Sequence, residues 1–253
     1  MDPVVTPNET EVSAPEPAWR RIAPLWHTLT LVIIVLAFSA LGAVSEHPVA
    51  KSGGRIPQYL LTMAWEWILF GFVIWGAKKS GTSLRTLIGG RWEHFEDFLL
   101  DIAIALGFWI FSAAVLVAIA FAVGMTNPSQ IKEAQKQLEF LLPNSTLEMT
   151  VAILLSITAG FCEEVIFRGY LQRQIASLAR NAWAGILLSG IIFGCAHGYE
   201  GWRRMIMIAV YGMLFGLLAH FRRSLRPGMM THAIHDSTAM IVPHFLKGVK
   251  MLL

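Results

Sequence analysis

The sequence predicts an all-α, polytopic integral membrane protein with about seven transmembrane helices (seven or eight) and a site between the C-terminal ones. Three observations predict it. Hydrophobic residues make up 55% of the 253-residue chain against 15% charged, and the mean hydropathy is +0.56, outside the range of soluble domains. Nine Trp and an aromatic content of 11% suit many bilayer interfaces, where amphipathic rings settle at headgroup depth. Uncharged runs long enough to cross about 30 Å of hydrocarbon recur along the chain. The same composition excludes a disordered chain. A net charge of +3, carried by basic residues scattered in pairs, excludes a nucleic-acid surface. Cys162 and Cys195 lie inside apolar segments, which argues against a secreted disulfide framework or a multi-cysteine zinc site.

Residues 1–22 read as a flexible tail, Pro-rich and without a basic residue before Arg20, and 23–253 as a single transmembrane domain with its catalytic core at about 148–246. After Arg21 no formally charged residue occurs until Glu46, which gives the first span. Residues 57–77 form the second, interrupted only by Glu66. Residues 78–101 are amphipathic and mixed in charge, as in an interfacial helix. The uncharged stretch 102–131 holds the third span, and the polar segment 128–148 reads as a second surface element. Spans over 148–168, 182–197, 204–221 and 227–246 complete seven. With alternating crossings, twelve Lys and Arg fall on one side against eight on the other, a bias that puts the N-terminus in the cytoplasm.

Ionisable groups inside apolar helices are costly, so they are the candidates for function. Glu163 and Glu164 end an apolar run in AGFCEEVIFRGYL. On an α-helix they point about 100° apart, so they are expected not to share a partner. Glu164 precedes Arg168 by four residues, the favourable order for an ion pair, which leaves Glu163 for another task. In FGCAH, Phe193 and His197 lie one turn apart. If the chain reverses at Arg180, Glu163 and His197 each stand seventeen residues from the turn, at matching depth on neighbouring helices. Gly190 with Gly194, and Gly212 with Gly216, would let helices approach closely. In THAIHDS, His232 and Asp236 are one turn apart, with His235 just before the aspartate. Such a pair suits metal binding, a proton relay or stabilisation of a developing negative charge. For each group there is also a purely structural reading, a self-satisfied polar network gluing helices together.

EEVIFR, FGCAH and HAIHD resemble, in order and spacing, the EExxxR, FxxxH and HxxxN/D signatures of the CPBP family of CAAX prenyl proteases and bacteriocin-processing enzymes. The resemblance covers about residues 148–240. It implies a membrane-embedded endopeptidase related to the type II CAAX prenyl endopeptidase, in which Glu163 deprotonates a water, Glu164 and Arg168 organise it, and His197 also holds that water. His232 and Asp236 would stabilise the oxyanion. A carboxylate in water is a poor base, and an apolar cavity strengthens one. Asp236 stands where the eukaryotic enzyme has Asn, and an ionised Asp cannot donate a hydrogen bond, so it would act protonated or orient His232.

The expected partners are a peptide or protein substrate, with prenylation at a C-terminal cysteine left open, and membrane lipids, with no nucleic acid. The expected location is a bacterial inner membrane. No cofactor is expected. A zinc-dependent alternative would use Glu163, His197, His232 and Asp236 as ligands, against the absence of any HExxH helix. A second alternative is a non-catalytic immunity or scaffold protein. Cys162 and Cys195 read as packing residues rather than nucleophiles. One geometric demand remains. His232 is six residues, about 9 Å, past Arg226, while Glu163 is about 25 Å from Arg180, so the hairpin must overshoot by some 16 Å or a helix end is misplaced.

Overall fold

The protein is described by a computed structural model covering residues 20–44, 55–124, 127 and 142–250. All regular structure among these residues is helical: α1 (Leu25–Val44), α2 (Ile56–Lys79), α3 (Leu84–Ile88), α4 (Phe95–Ala122), α5 (Thr146–Glu163), a π-helical segment (Glu164–Gln172), α6 (Arg173–Ala179), α7 (Ala182–Ala196), a 3₁₀ turn (Gly198–Glu200), α8 (Trp202–Arg222) and α9 (Arg226–Lys250). Five stretches are long and apolar enough to cross a membrane: α1, α2, α4, the continuous Thr146–Ala179 rod and α8. The other two expected spans are the shorter apolar α7 and the 25-residue α9, which carries His232, His235 and Asp236. Large apolar side chains stay exposed on the outer helices, among them Ile33, Leu61, Ile68, Ile110 and Phe121, as hydrocarbon contact requires.

Local chemistry explains the helix ends. Pro57 opens α2, and Lys78 and Lys79 close it against the negative end of the helix dipole. Ser145 caps α5 by accepting from Glu148 N at 3.2 Å, and Asn181 caps α7 by accepting from Trp183 N and Ala184 N. Arg180 and Arg223 end α6 and α8 in the left-handed conformation, at φ 51° and 54°.

Three expectations need correction. The third span does not begin at 102: α4 starts at Phe95, because Asp97 accepts the backbone N–H groups of Glu93 and His94. The helical run also ends at Ala122, short of 131. Of the segment 78–101 expected as one interfacial helix, the five residues of α3 form a separate short helix, with Arg85 and Thr86 exposed, and the stretch from Phe95 belongs to α4. Leu87 is fully buried, and Gly89, at φ +98°, lies so close to the α8–α9 turn that a Cβ there would meet Arg223 O at 2.2 Å. The tail expected over 1–22 is already anchored at its end, since Ile22 is buried and Gln174 accepts from the N–H groups of Ile22 and Ala23. Residues 1–19 of that tail, and most of the surface element expected over 128–148, lie outside the described residues.

The π-helical segment is the centre of the molecule, with all nine residues buried. Arg168 and Gln172 donate side-chain hydrogen bonds to the carbonyls of Gly212 and Gly216 on α8, at 3.2 and 3.0 Å. Ser189 of α7 donates to the carbonyl of Phe167 at 2.9 Å. Tyr170 ties in α1, its hydroxyl 2.7 Å from His27 Nδ1 and 3.0 Å from Thr28 Oγ1. The glycine pairs do what their spacing predicts: added Cβ atoms at Gly190 and Gly194 would meet the backbone of α8 at 3.0 and 2.5 Å.

The hairpin does overshoot. Leu225, just before α9, packs on Gly169 and donates its N–H to Ile88 O, so α9 begins at the depth of Gly169. From there the rod continues eleven residues to Arg180, about 16 Å of helix.

Candidate active site

Three helices bring the first and third motifs together. α5 and α9 run antiparallel in close contact, because a Cβ at Gly160 would meet Met229 O at 2.8 Å and Ala233 N at 2.9 Å. One turn beyond Gly160, Glu164 lies 3.0 Å from Arg168 Nη1, the expected ion pair, with both side chains 1% exposed. The guanidinium stacks over Phe193 at 4.3 Å and Phe215 at 5.4 Å, which compensates part of its desolvation.

His232 enters this group from α9. Its Nδ1 is 3.2 Å from Glu164 Oε1, and its Nε2 is 3.6 Å from both Glu163 Oε2 and Asp236 Oδ2. The expectation that the adjacent glutamates could not share a partner is therefore overturned. The imidazole offers nitrogens on two sides, and the helix widens from Glu164 onward, so both carboxylates reach it. The burial is graded: the Glu164 side chain is 1% exposed, Glu163 18% and Asp236 29%. Glu163 and Asp236 thus face the open side of the cluster.

His197 is not joined to these groups by a hydrogen bond or ion pair. It ends α7, its Nδ1 2.9 Å from Phe193 O, which fixes the proton on Nδ1 and leaves Nε2 as an acceptor. Phe193 is the link, its ring 4.9 Å from His197 and 6.2 Å from His232.

Residues 144–238 match the family described as Type II CAAX prenyl endopeptidase Rce1-like. That region of the chain carries an Rce1-like domain. Neither curated proteins nor solved structures give a match. The matched family is one of membrane-embedded proteases, and the matched region holds every motif residue just described.

Among the described residues no three His, Cys, Asp or Glu side chains are placed to hold one ion, and the four zinc candidates are divided, with His197 turned to Phe193. Cys162 is buried and Cys195 partly so, and both are free thiols packed in helix contacts.

Motif reading missed the polar atoms left without partners around the domain's acids. Glu66 Oε2, Tyr211 Oη and His235 Nδ1 are buried and make no hydrogen bond. Tyr211 packs its ring 5.9 Å from His232 and 5.0 Å from His235. For Glu66 a signal was present, since it is the only charge in the second apolar run.

Proposed function

We propose that this CAAX protease hydrolyses a peptide bond in a membrane-associated substrate with a water activated by Glu163. The observation that carries the reading is His232, which meets Glu163, Glu164 and Asp236 at one ring. Arg168 holds Glu164, Glu164 accepts the Nδ1–H of His232, and this leaves Nε2 directed at the open side. The separations of 3.6 Å from Nε2 to Glu163 and Asp236 exceed a direct hydrogen bond, and a water on the open side of the cluster can touch these groups together.

Glu163 takes a proton from that water as its oxygen adds to the scissile carbonyl, and returns the proton to the leaving amine. His197, with Nε2 as acceptor, orients the same water. His232 and Asp236 face the carbonyl oxygen as negative charge develops on it. The reaction requires no cofactor. Substrates reach the site from the bilayer, and those with a prenylated C-terminal cysteine fit a site set among apolar helices. The enzyme resides in a bacterial inner membrane with its N-terminus in the cytoplasm, as the Lys and Arg bias supports.

The test is cleavage of fluorogenic peptides, with and without a farnesylated C-terminal CAAX-type cysteine, by detergent-purified wild type and Glu163→Ala. Cleavage by the wild type alone supports the reading, and prenyl dependence identifies the substrate class. Equal cleavage by both proteins overturns the role of Glu163.

A further inference from the structure

Glu66 lies on α2, outside the matched region, yet its position along the bundle is that of the acids. Met63 of α2 and Met240 of α9 both pack against the same small core of Tyr59, Ala152 and Leu155. Glu66 is one turn from Met63, and Asp236 one turn from Met240. Further along, Trp67 and Phe70 stack on Phe161, beside Cys162 and Glu163. Both displacements therefore run towards Glu163. The charged groups that act on Glu66 are Glu163 from α5 and Asp236 from α9, and the neighbouring thiol is Cys162. From α1 the only titratable group is His27, already engaged by Tyr170 and the carbonyl of Phe72.

Glu66 is 6% exposed and Oε2 has no partner. A buried carboxylate needs a cation or several donors, and Glu66 has neither. The cations of the cluster are already used: Arg168 faces Glu164, and His232 stands among Glu163, Glu164 and Asp236. A carboxylic acid, by contrast, has a proton to donate. The reaction can use such a donor beside His232 and Asp236, because an ionised carboxylate cannot hydrogen-bond a developing oxyanion.

We propose that Glu66 is a further catalytic residue of this site, a neutral carboxylic acid that donates its proton to the oxygen of the scissile carbonyl opposite the water activated by Glu163. The proposal rests on the hydrolytic reading above. Glu163 takes a proton from water, the new C–O bond forms, and the carbonyl π pair moves to oxygen, which takes the proton of Glu66. On collapse the C–N bond breaks with its electron pair going to nitrogen. Nitrogen takes the proton held by Glu163, and a hydroxyl of the diol returns one to Glu66, so both carboxyls end as they began.

The test compares wild type, Glu163→Ala, Glu66→Gln and Glu66→Ala, with peptide cleavage against pH and infrared spectra of the purified proteins at neutral pH. Glu66→Gln should lose a protonated-carboxyl C=O stretch that the wild type shows. Because its amide can donate a hydrogen bond but cannot give up a proton, it should lose kcat but less than Glu66→Ala, which should lose about 10²–10³-fold with KM little changed. The alkaline limb of the wild-type profile, where Glu66 ionises, should be absent from Glu66→Gln. An undiminished acid band in Glu66→Gln overturns the proposal, and so does wild-type kcat in Glu66→Ala. If Glu66→Ala does not fold, Glu66→Gln decides through its band and its alkaline limb. With wild type active and Glu163→Ala inactive, a fully active Glu66→Ala rejects Glu66 alone. A wild type that cleaves nothing rejects the hydrolytic reading and this proposal with it.

Discussion

His232 Nδ1 stands 3.2 Å from Glu164 Oε1, so the third motif docks on the first through the same carboxylate oxygen that holds Arg168. Glu164 is thereby the joint between two helices, and Glu163 beside it is left to face outward.

Removing the cation should release this joint. Arg168→Leu leaves Glu164 buried with His232 as its one remaining partner among the described residues, and orphans the carbonyl of Gly212. The expected cost is about 3–5 kcal/mol, read as a lowered midpoint of thermal or denaturant unfolding in detergent. An unchanged midpoint would show that Glu164 finds another partner.

Spacing between α5 and α9 should matter more to rate than to folding. Gly160→Ala places a methyl 2.8 Å from Met229 O, forcing α9 outward beside His232. A displacement near 1 Å is expected to lower kcat by about 10²-fold, with the purified protein still monodisperse. Wild-type kcat in this variant would mean that the site tolerates the shift.

Asp236 should tolerate conversion to its amide. If Asp236 acts by hydrogen bonding, Asp236→Asn should retain activity within about 10-fold, and Asp236→Leu should lose about 10²–10³-fold. Parallel steady-state kinetics decide the matter, and an inactive Asp236→Asn would show that its charge is what counts.

The thiol beside the base should be dispensable. Cys162→Ala is expected to keep kcat and to lose only the packing of one buried sulfur, about 1 kcal/mol. A dead, folded Cys162→Ala enzyme would move the nucleophile to sulfur, and thiol-blocking reagents would then have to inhibit the wild type.

Much of this site was legible before the coordinates because its residues carry local signatures. The four-residue spacing of Glu164 and Arg168 encodes their contact, and so does that of His232 and Asp236. Counting residues to Arg180 and Arg226 reduced the depth mismatch to two alternatives, an overshooting hairpin or a misplaced helix end, and packing of Leu225 on Gly169 selects the first. The shared partner of Glu163 and Glu164 did not follow, because 100° per residue holds for an α-helix and the chain leaves that geometry at Glu164. Helix ends were misjudged where side-chain capping sets them, as Asp97 does for α4. Glu66 was visible as the lone charge of its span, but its place near the acids was not, because nothing local relates it to Glu163, about a hundred positions away. Only the packing of α2 against α5 does.

The nine π-helical residues wind less per residue than the α-helices on either side. Faces above and below them therefore fall out of phase, and one continuous rod addresses two different neighbours. Upstream, Gly160 and Glu163 look to α9; downstream, Arg168 and Gln172 look to α8. A single residue deleted between Val165 and Phe167 would rotate one set against the other by roughly a quarter turn. The anchors on α8 would hold while Glu163 swung away from His232.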